Sequence, residues 1–137
     1  MSWYFDDKLF EPNEEELSSW QGFVYNIKEV DTGMNYIGKK FFWKPKTLPV
    51  TKTRKRRKRT LVESDWKDYF GSNKLLQENV STKGSSNYIR TILKLCKTKG
   101  DCSYYEAFYQ FQESVLLRDD YYNEYIQCRI HSKHLKS

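Results

Sequence analysis

Gly22-Phe23-Val24-Tyr25-Asn26-Ile27-Lys28-Glu29-Val30-Asp31-Thr32-Gly33-Met34-Asn35-Tyr36-Ile37-Gly38-Lys39-Lys40-Phe41-Phe42 is the stretch whose reading decides the fold. Apolar and polar residues roughly alternate up to Val30, Asp31-Thr32-Gly33 supplies a turn that tolerates positive φ at the glycine, and a second extended run follows. The pattern predicts a β-hairpin. Side chains alternate across a strand, so loop parity decides which of them share a face. With Asp31 opposite Met34, Tyr25 lies opposite Lys40 and Glu29 opposite Tyr36. Tyr25, Tyr36, Gly38 and Lys40 then share one face, and Val24, Val30, Ile37 and Phe41 the other, more apolar one. A loop one residue longer or shorter would separate the two tyrosines. On its own the pair also reads as ordinary aromatic strand residues beside a close-approach glycine.

Outward from the hairpin, the chain divides by charge. Residues 1–20 are acidic, with Asp6, Asp7, Glu11, Glu14, Glu15 and Glu16 against Lys8, and Asn13 is placed to cap a short helix reaching Trp20. Residues 43–60 are the opposite. Pro45 and Pro49 precede the run Lys52-Thr53-Arg54-Lys55-Arg56-Arg57-Lys58-Arg59, whose self-repulsion predicts an extended, mobile insertion. Between Thr32 and Val62 there is no acidic residue at all. Net charge is +6, from 24 Lys and Arg against 18 Asp and Glu, and its clustering suits a polyanion. Guanidinium groups bind phosphate oxygens in pairs, so Arg54, Lys55, Arg56, Arg57, Lys58 and Arg59 are the candidate DNA-binding residues.

Farther on, Ser64 to Phe70 starts like a capped helix that Gly71 stops, and Ser72 or Asn73 caps a second helix from Lys74 to about Ser81. Asn87 to Cys96 reads as a third strand with Ile89, Leu93 and Leu95 on one face. Ser103 followed by Glu106 forms a capping-box pattern opening the longest helix, expected to run to about Leu117 with Tyr105, Phe108, Tyr109, Gln112, Val115 and Leu116 towards the sheet. At 137 residues the chain is sized for one domain, leaving no room for a separate DNA-recognition domain. No run approaches the roughly 18 apolar residues of a membrane span, and Met1-Ser2-Trp3-Tyr4-Phe5-Asp6-Asp7 lacks the basic start of a signal peptide. A cytoplasmic protein is expected, in the host cell if phage-encoded. Three cysteines without a C-x-x-C pair argue for reduced thiols. Cys128, His131 and His134 are spaced by three in the tail, one ligand short of structural zinc.

Phe23-Val24-Tyr25 followed by Tyr36-Ile37-Gly38-Lys39-Lys40 resembles the paired signature of the GIY-YIG nuclease family, with Phe-Val-Tyr standing for Gly-Ile-Tyr. Asp65-Trp66, Tyr69-Phe70-Gly71-Ser72, Tyr88-Ile89-Arg90-Thr91-Ile92-Leu93, Tyr105-Glu106-Ala107 and Tyr121-Tyr122-Asn123 follow in the order seen in small phage-type, homing-endonuclease-like members. The resemblance implies an α+β fold, a small three-stranded antiparallel sheet flanked by helices, and a DNA endonuclease using Mg²⁺ or Mn²⁺. It implies Tyr25 as general base, Tyr36 as a hydrogen-bonding partner of phosphate or water, Glu106 as metal ligand and Asn123 as support. A free phenol ionises near pH ~10, so Lys39 or Lys40 is expected to lower it. The family's helix arginine falls where this chain carries its basic insertion, and Arg59, Arg57 or Arg56, or else Lys40, stands in for it. A non-catalytic nucleic-acid-binding module is the alternative. Target sequence and oligomeric state, a dimer included, are open.

Overall fold

The structure, a computed structural model, describes residues 2–53, 56 and 58–135. Arg54, Lys55 and Arg57 lie outside the described residues, as does the side chain of Lys58. Strands β1 (Trp3–Phe5) and β2 (Lys8–Leu9) pair across Asp6-Asp7, both at positive φ, the conformation a two-residue hairpin turn requires and aspartate tolerates. Helix α1 (Glu14–Ser18) is capped by Asn13, whose Oδ1 accepts the Glu16 N–H at 2.8 Å. Strands β3 (Gly22–Glu29) and β4 (Asn35–Phe41) are the expected hairpin. After β5 (Trp43–Leu48) and β6 (Lys58–Glu63) come a 3-10 turn at Trp66–Asp68, helix α2 (Lys74–Lys83), strand β7 (Tyr88–Cys96) and helix α3 (Lys99–Gln112).

The sheet has five strands in the order β2-β1-β7-β3-β4, not three, and it is mixed, because β1 runs parallel to β7. Trp3 is the cause. Its ring is buried against Phe23 and Tyr25, and its Nε1 donates to Trp66 O at 2.8 Å, drawing the acidic N-terminal segment into the sheet. The hairpin register also slides by two residues. Tyr25 pairs with Gly38 and Lys28 with Asn35, because Val30 joins the loop and Gly33 takes φ 77°. A slip of two preserves parity, so Tyr25, Tyr36, Gly38 and Lys40 keep a common face, while Val30 is exposed rather than packed with Val24 and Ile37.

A bulge at Val24/Tyr25 undoes the expected single face of β7. Leu95 packs with Phe23 and Tyr25 in the aromatic cluster, whereas Leu93 packs with Val24, Ile37 and Val115 beneath α3, and Ile89 is exposed. Helix α3 starts earlier than its capping-box pattern suggests. Thr98 is the N-cap, its side chain accepting the Asp101 N–H at 3.0 Å, and Ser103 lies inside the helix. Glu106 is therefore released from a capping role. The helix ends at Gln112; Cys102, Ala107 and Gln110 are buried and Tyr105, Tyr109 and Val115 pack on the core, while Phe108, Gln112 and Leu116 face outward. The span after Ser64 yields only the short 3-10 turn, with no side-chain cap at Asp65. The basic insertion is not uniformly extended coil: its two ends pair as β5 and β6.

Glu29, which no motif singles out, is 1% exposed at the turn end of β3. Burial alone would raise its pKa, but donation from Thr32, Tyr88, Lys83 Nζ at 3.1 Å and Tyr122 Oη at 2.9 Å outweighs it and holds the carboxyl down from 4.5 to about 2. A depressed carboxyl stabilises the fold above the unfolded-state value, and that contribution disappears as pH falls from about 4.5 to about 2. Glu29→Gln is accordingly expected to cost roughly 3 kcal/mol at neutral pH and to flatten the acid limb of stability. Urea unfolding at pH 7 and near pH 3 measures both; an unchanged acid limb would show that Glu29 does not carry it.

Candidate active site

Strand β4 is the sheet's outer strand, so its outward backbone groups need partners. The chain supplies them one after another. Asn35 gives its N–H to Asp120 O and accepts the Tyr122 N–H, both at 2.8 Å. Asn123 then takes over with its side chain, Oδ1 accepting the Ile37 N–H at 3.1 Å and Nδ2 donating to Ile37 O at 2.8 Å. Gln110 Nε2 donates to the same carbonyl at 2.9 Å. At the next outward position the Lys39 backbone amide favours the ionised form of the Glu106 carboxyl. Asn123 thus pairs both backbone groups of Ile37 at the strand edge that borders Glu106.

Beside this edge lies a cleft of about 380 Å³, lined among others by Tyr36, Lys39, Ser72, Lys74, Glu106, Gln110 and Asn123. Burial raises the Glu106 pKa above its ordinary 4.5, opposed by Lys39, whose Nζ lies 3.7 Å from the carboxylate. That ammonium also donates to Ser103 Oγ at 2.9 Å. The Tyr36 hydroxyl shares a 3.0 Å hydrogen bond with Ser72 Oγ, and burial raises its pKa above 10.0. Two oxygen donors face a hard cation's requirements here. The Glu106 carboxylate is one, and the amide oxygen of Gln110, one helical turn later, is buried without a hydrogen-bond donor.

Tyr25 stands behind the cleft rather than in it. It is 0% exposed, its hydroxyl pressed against Gly38 and without a hydrogen-bond partner, between the rings of Tyr36 and Tyr69. Burial, then the neighbouring Tyr69 and Tyr36, push its pKa well above 10.0. The lysines expected to lower it have other partners. Lys39 turns to Glu106, and Lys40 binds Asp65 at 2.7 Å and covers the Tyr69 ring at 4.1 Å. Arg59 is exposed on β6 opposite Thr47 and is not among the residues lining the cleft. Arg56 is exposed in the loop between β5 and β6. Arg90 is fully buried between the rings of Trp3 and Phe70, donates to Tyr69 O at 2.8 Å, and is pushed down to about 10 by burial. Among the described residues no three His, Cys, Asp or Glu side chains converge on a metal position, the tail's Cys128, His131 and His134 included.

A family model described as "Putative endonuclease segE, GIY-YIG domain" matches residues 3–126. The chain belongs to this GIY-YIG family. The matched span runs from Trp3 in β1 past Asn123, so it takes in every cleft-lining residue from Tyr36 to Tyr125. Neither a curated protein nor a solved structure matches the chain. Within the GIY-YIG domain, sequence reasoning missed Ser72, Lys74 and Gln110. Ser72 and Lys74 flank the α2 cap at Asn73, and Gln110 sits one turn beyond Glu106; the second of these spacings was a usable signal.

Proposed function

We propose that the protein is a metal-dependent DNA endonuclease that hydrolyses phosphodiester bonds in the Tyr36–Glu106 cleft. The observation that carries this reading is the half-buried Glu106 carboxylate sharing one cleft with a phenol, Tyr36, with two lysines, Lys39 and Lys74, and with the exposed Glu124. Glu106 and the amide of Gln110, both in the cleft lining, would hold Mg²⁺ or Mn²⁺, hard cations that take oxygen ligands and keep several waters. When bound, the ion supplies Lewis-acid charge to a phosphoryl oxygen and acidifies water. The lysines bind the phosphate oxygens and neutralise the charge that develops on them. Tyr36 relays the proton: its Oη accepts one from the attacking water as its own hydrogen passes to Ser72 Oγ, and the hydroxyl hydrogen of the exposed Ser72 passes in turn to solvent, while the ester oxygen displaced as the new P–O bond forms takes a proton from solvent. Tyr25, neutral and walled in, holds the Tyr36 ring and the Gly38 backbone in place. The cationic residues of the 43–60 segment add backbone contacts, and the setting is the cytoplasm of the cell that makes the protein.

Incubation with supercoiled and long linear double-stranded DNA plus Mg²⁺ or Mn²⁺, followed by mapping of the ends, tests the proposal. Nicking or cutting that stops with chelator is the expected result. Salt-sensitive binding without cleavage at any metal concentration would leave a nucleic-acid-binding module instead.

A further inference from the structure

The β5–β6 hairpin is a separate two-stranded sheet. Its root is fixed: Trp43 Nε1 donates to Trp20 O at 2.9 Å, and Ser64, just past β6, bonds Phe41 O through Oγ at 2.6 Å and Phe42 O through its N–H at 2.7 Å. Beyond the root, register assigns Lys44, Lys46, Thr60 and Val62 to one face and Pro45, Thr47, Arg59 and Leu61 to the other. Lys44 and Lys46 are exposed.

Against the Lys44 side of that root lies a second groove of about 250 Å³, which Lys39, Lys40, Lys44 and Lys99 share with one carboxylate, Asp65. It adjoins the cleft, because Lys39 lines both. Asp65 bonds Lys40 at 2.7 Å, its side chain is 72% exposed, and Lys40 first, then Lys44, hold its pKa below the ordinary value. A solvent-facing anion is thus already seated among clustered lysines, and nothing buries it there. Phosphate has the charge and the oxygens to take its place.

We propose that this lysine groove is a second duplex-binding site, where a DNA backbone phosphate replaces Asp65 as the partner of Lys40 and Lys44 and the β5–β6 ribbon enters the adjacent major groove. The major groove admits a two-stranded ribbon. Strands of six residues reach about 20 Å, roughly six base pairs of axial rise. The contact lies to one side of the cleft, so it sets where on the duplex the cleft acts. The inference rests on the proposed function for DNA as ligand and for backbone contacts by the 43–60 segment, and goes beyond it in the lysine groove at Asp65 and the ribbon in the major groove.

Metal-free fluorescence anisotropy with a duplex three helical turns long, across a salt series, tests it without depending on cleavage. The triple variant Lys44→Ala, Lys46→Ala, Lys99→Ala is expected to bind roughly 10-fold or more weakly, with a salt slope smaller by about two to three. Asp65→Asn is expected to bind several-fold tighter, and Lys8→Ala with Lys28→Ala to match wild type. A duplex whose cytosines carry a bulky 5-substituent, which fills the major groove, is expected to bind wild type more weakly than plain duplex. Wild-type affinity and slope in the triple variant, or equal binding of the two duplexes, would overturn the proposal. If the nuclease reading alone is wrong, these shifts persist in a protein that never cuts; if the ribbon alone is wrong, the triple variant binds and cuts like wild type.

Discussion

Glu106→Gln is expected to lower DNA cleavage on the order of 10³-fold while leaving metal-free DNA affinity unchanged or slightly tighter. The substitution keeps the shape of the side chain and removes its charge. Glu106 lies outside both hydrophobic clusters, and Lys39 retains Ser103 Oγ as a partner, so the fold should persist. Loss of an anion from a cleft that also holds Lys39 and Lys74 cannot weaken its attraction to phosphate, which is why binding and cleavage separate. Single-turnover cleavage, anisotropy and a thermal melt measure the three quantities. Cleavage equal to wild type would remove Glu106 from the chemistry.

Gly38→Ala is expected to cost less activity than Glu106→Gln, on the order of 10²-fold, through geometry alone. A Cβ there would collide with the Tyr25 hydroxyl and lie 2.8 Å from its Cζ and 3.0 Å from Tyr36 Cε2. Tyr25 cannot retreat, being fully buried against Trp3, Phe23 and Tyr69. The added methyl must therefore displace Tyr36 or bow the edge strand, at about 1–3 kcal/mol of overpacking. Gly33→Ala is the contrasting case. Nothing lies within 4 Å of its Cβ, and its φ of 77° costs only local backbone strain, so the melt should fall slightly with cleavage intact. Equal cleavage by Gly38→Ala and wild type would show that the phenol pair does not set the geometry of the cleft.

Local pattern carried the hairpin, the Asn13 and Asn73 caps and the shared face of Tyr25 and Tyr36, because alternation and short polar caps act within a few residues. What escaped it depended on distant partners. β1 joins the sheet because Trp3 finds a pocket made by Phe23, Tyr25 and Trp66, and no residue near Trp3 encodes that. The bulge opposite Tyr25 sends Leu93 and Leu95 to different cores despite their matching parity. Thr98 outcompeted Ser103 as the cap of α3, and Gln110 rather than Phe108 packs against the sheet, where its amide finds the Ile37 carbonyl. In the site, Glu106 and Tyr36 were legible from motif order. That Lys39 would turn to Glu106 and Lys40 to Asp65 follows from their lying on opposite faces of β4, which alternation implied, and from what packs on each face, which it did not.

Paramagnetic broadening by sub-stoichiometric Mn²⁺, read on the protein's NMR spectrum in the presence of duplex DNA, asks most directly whether the Tyr36–Glu106 cleft holds the metal. The predicted result is early loss of the Gly38 and Lys39 amide signals and of the Gln110 and Asn123 side-chain amides, abolished by Glu106→Gln. Loss centred on Asp6, Asp7 and Glu14–Glu16, or on Asp119 and Asp120, with the cleft signals intact in both proteins, would contradict it.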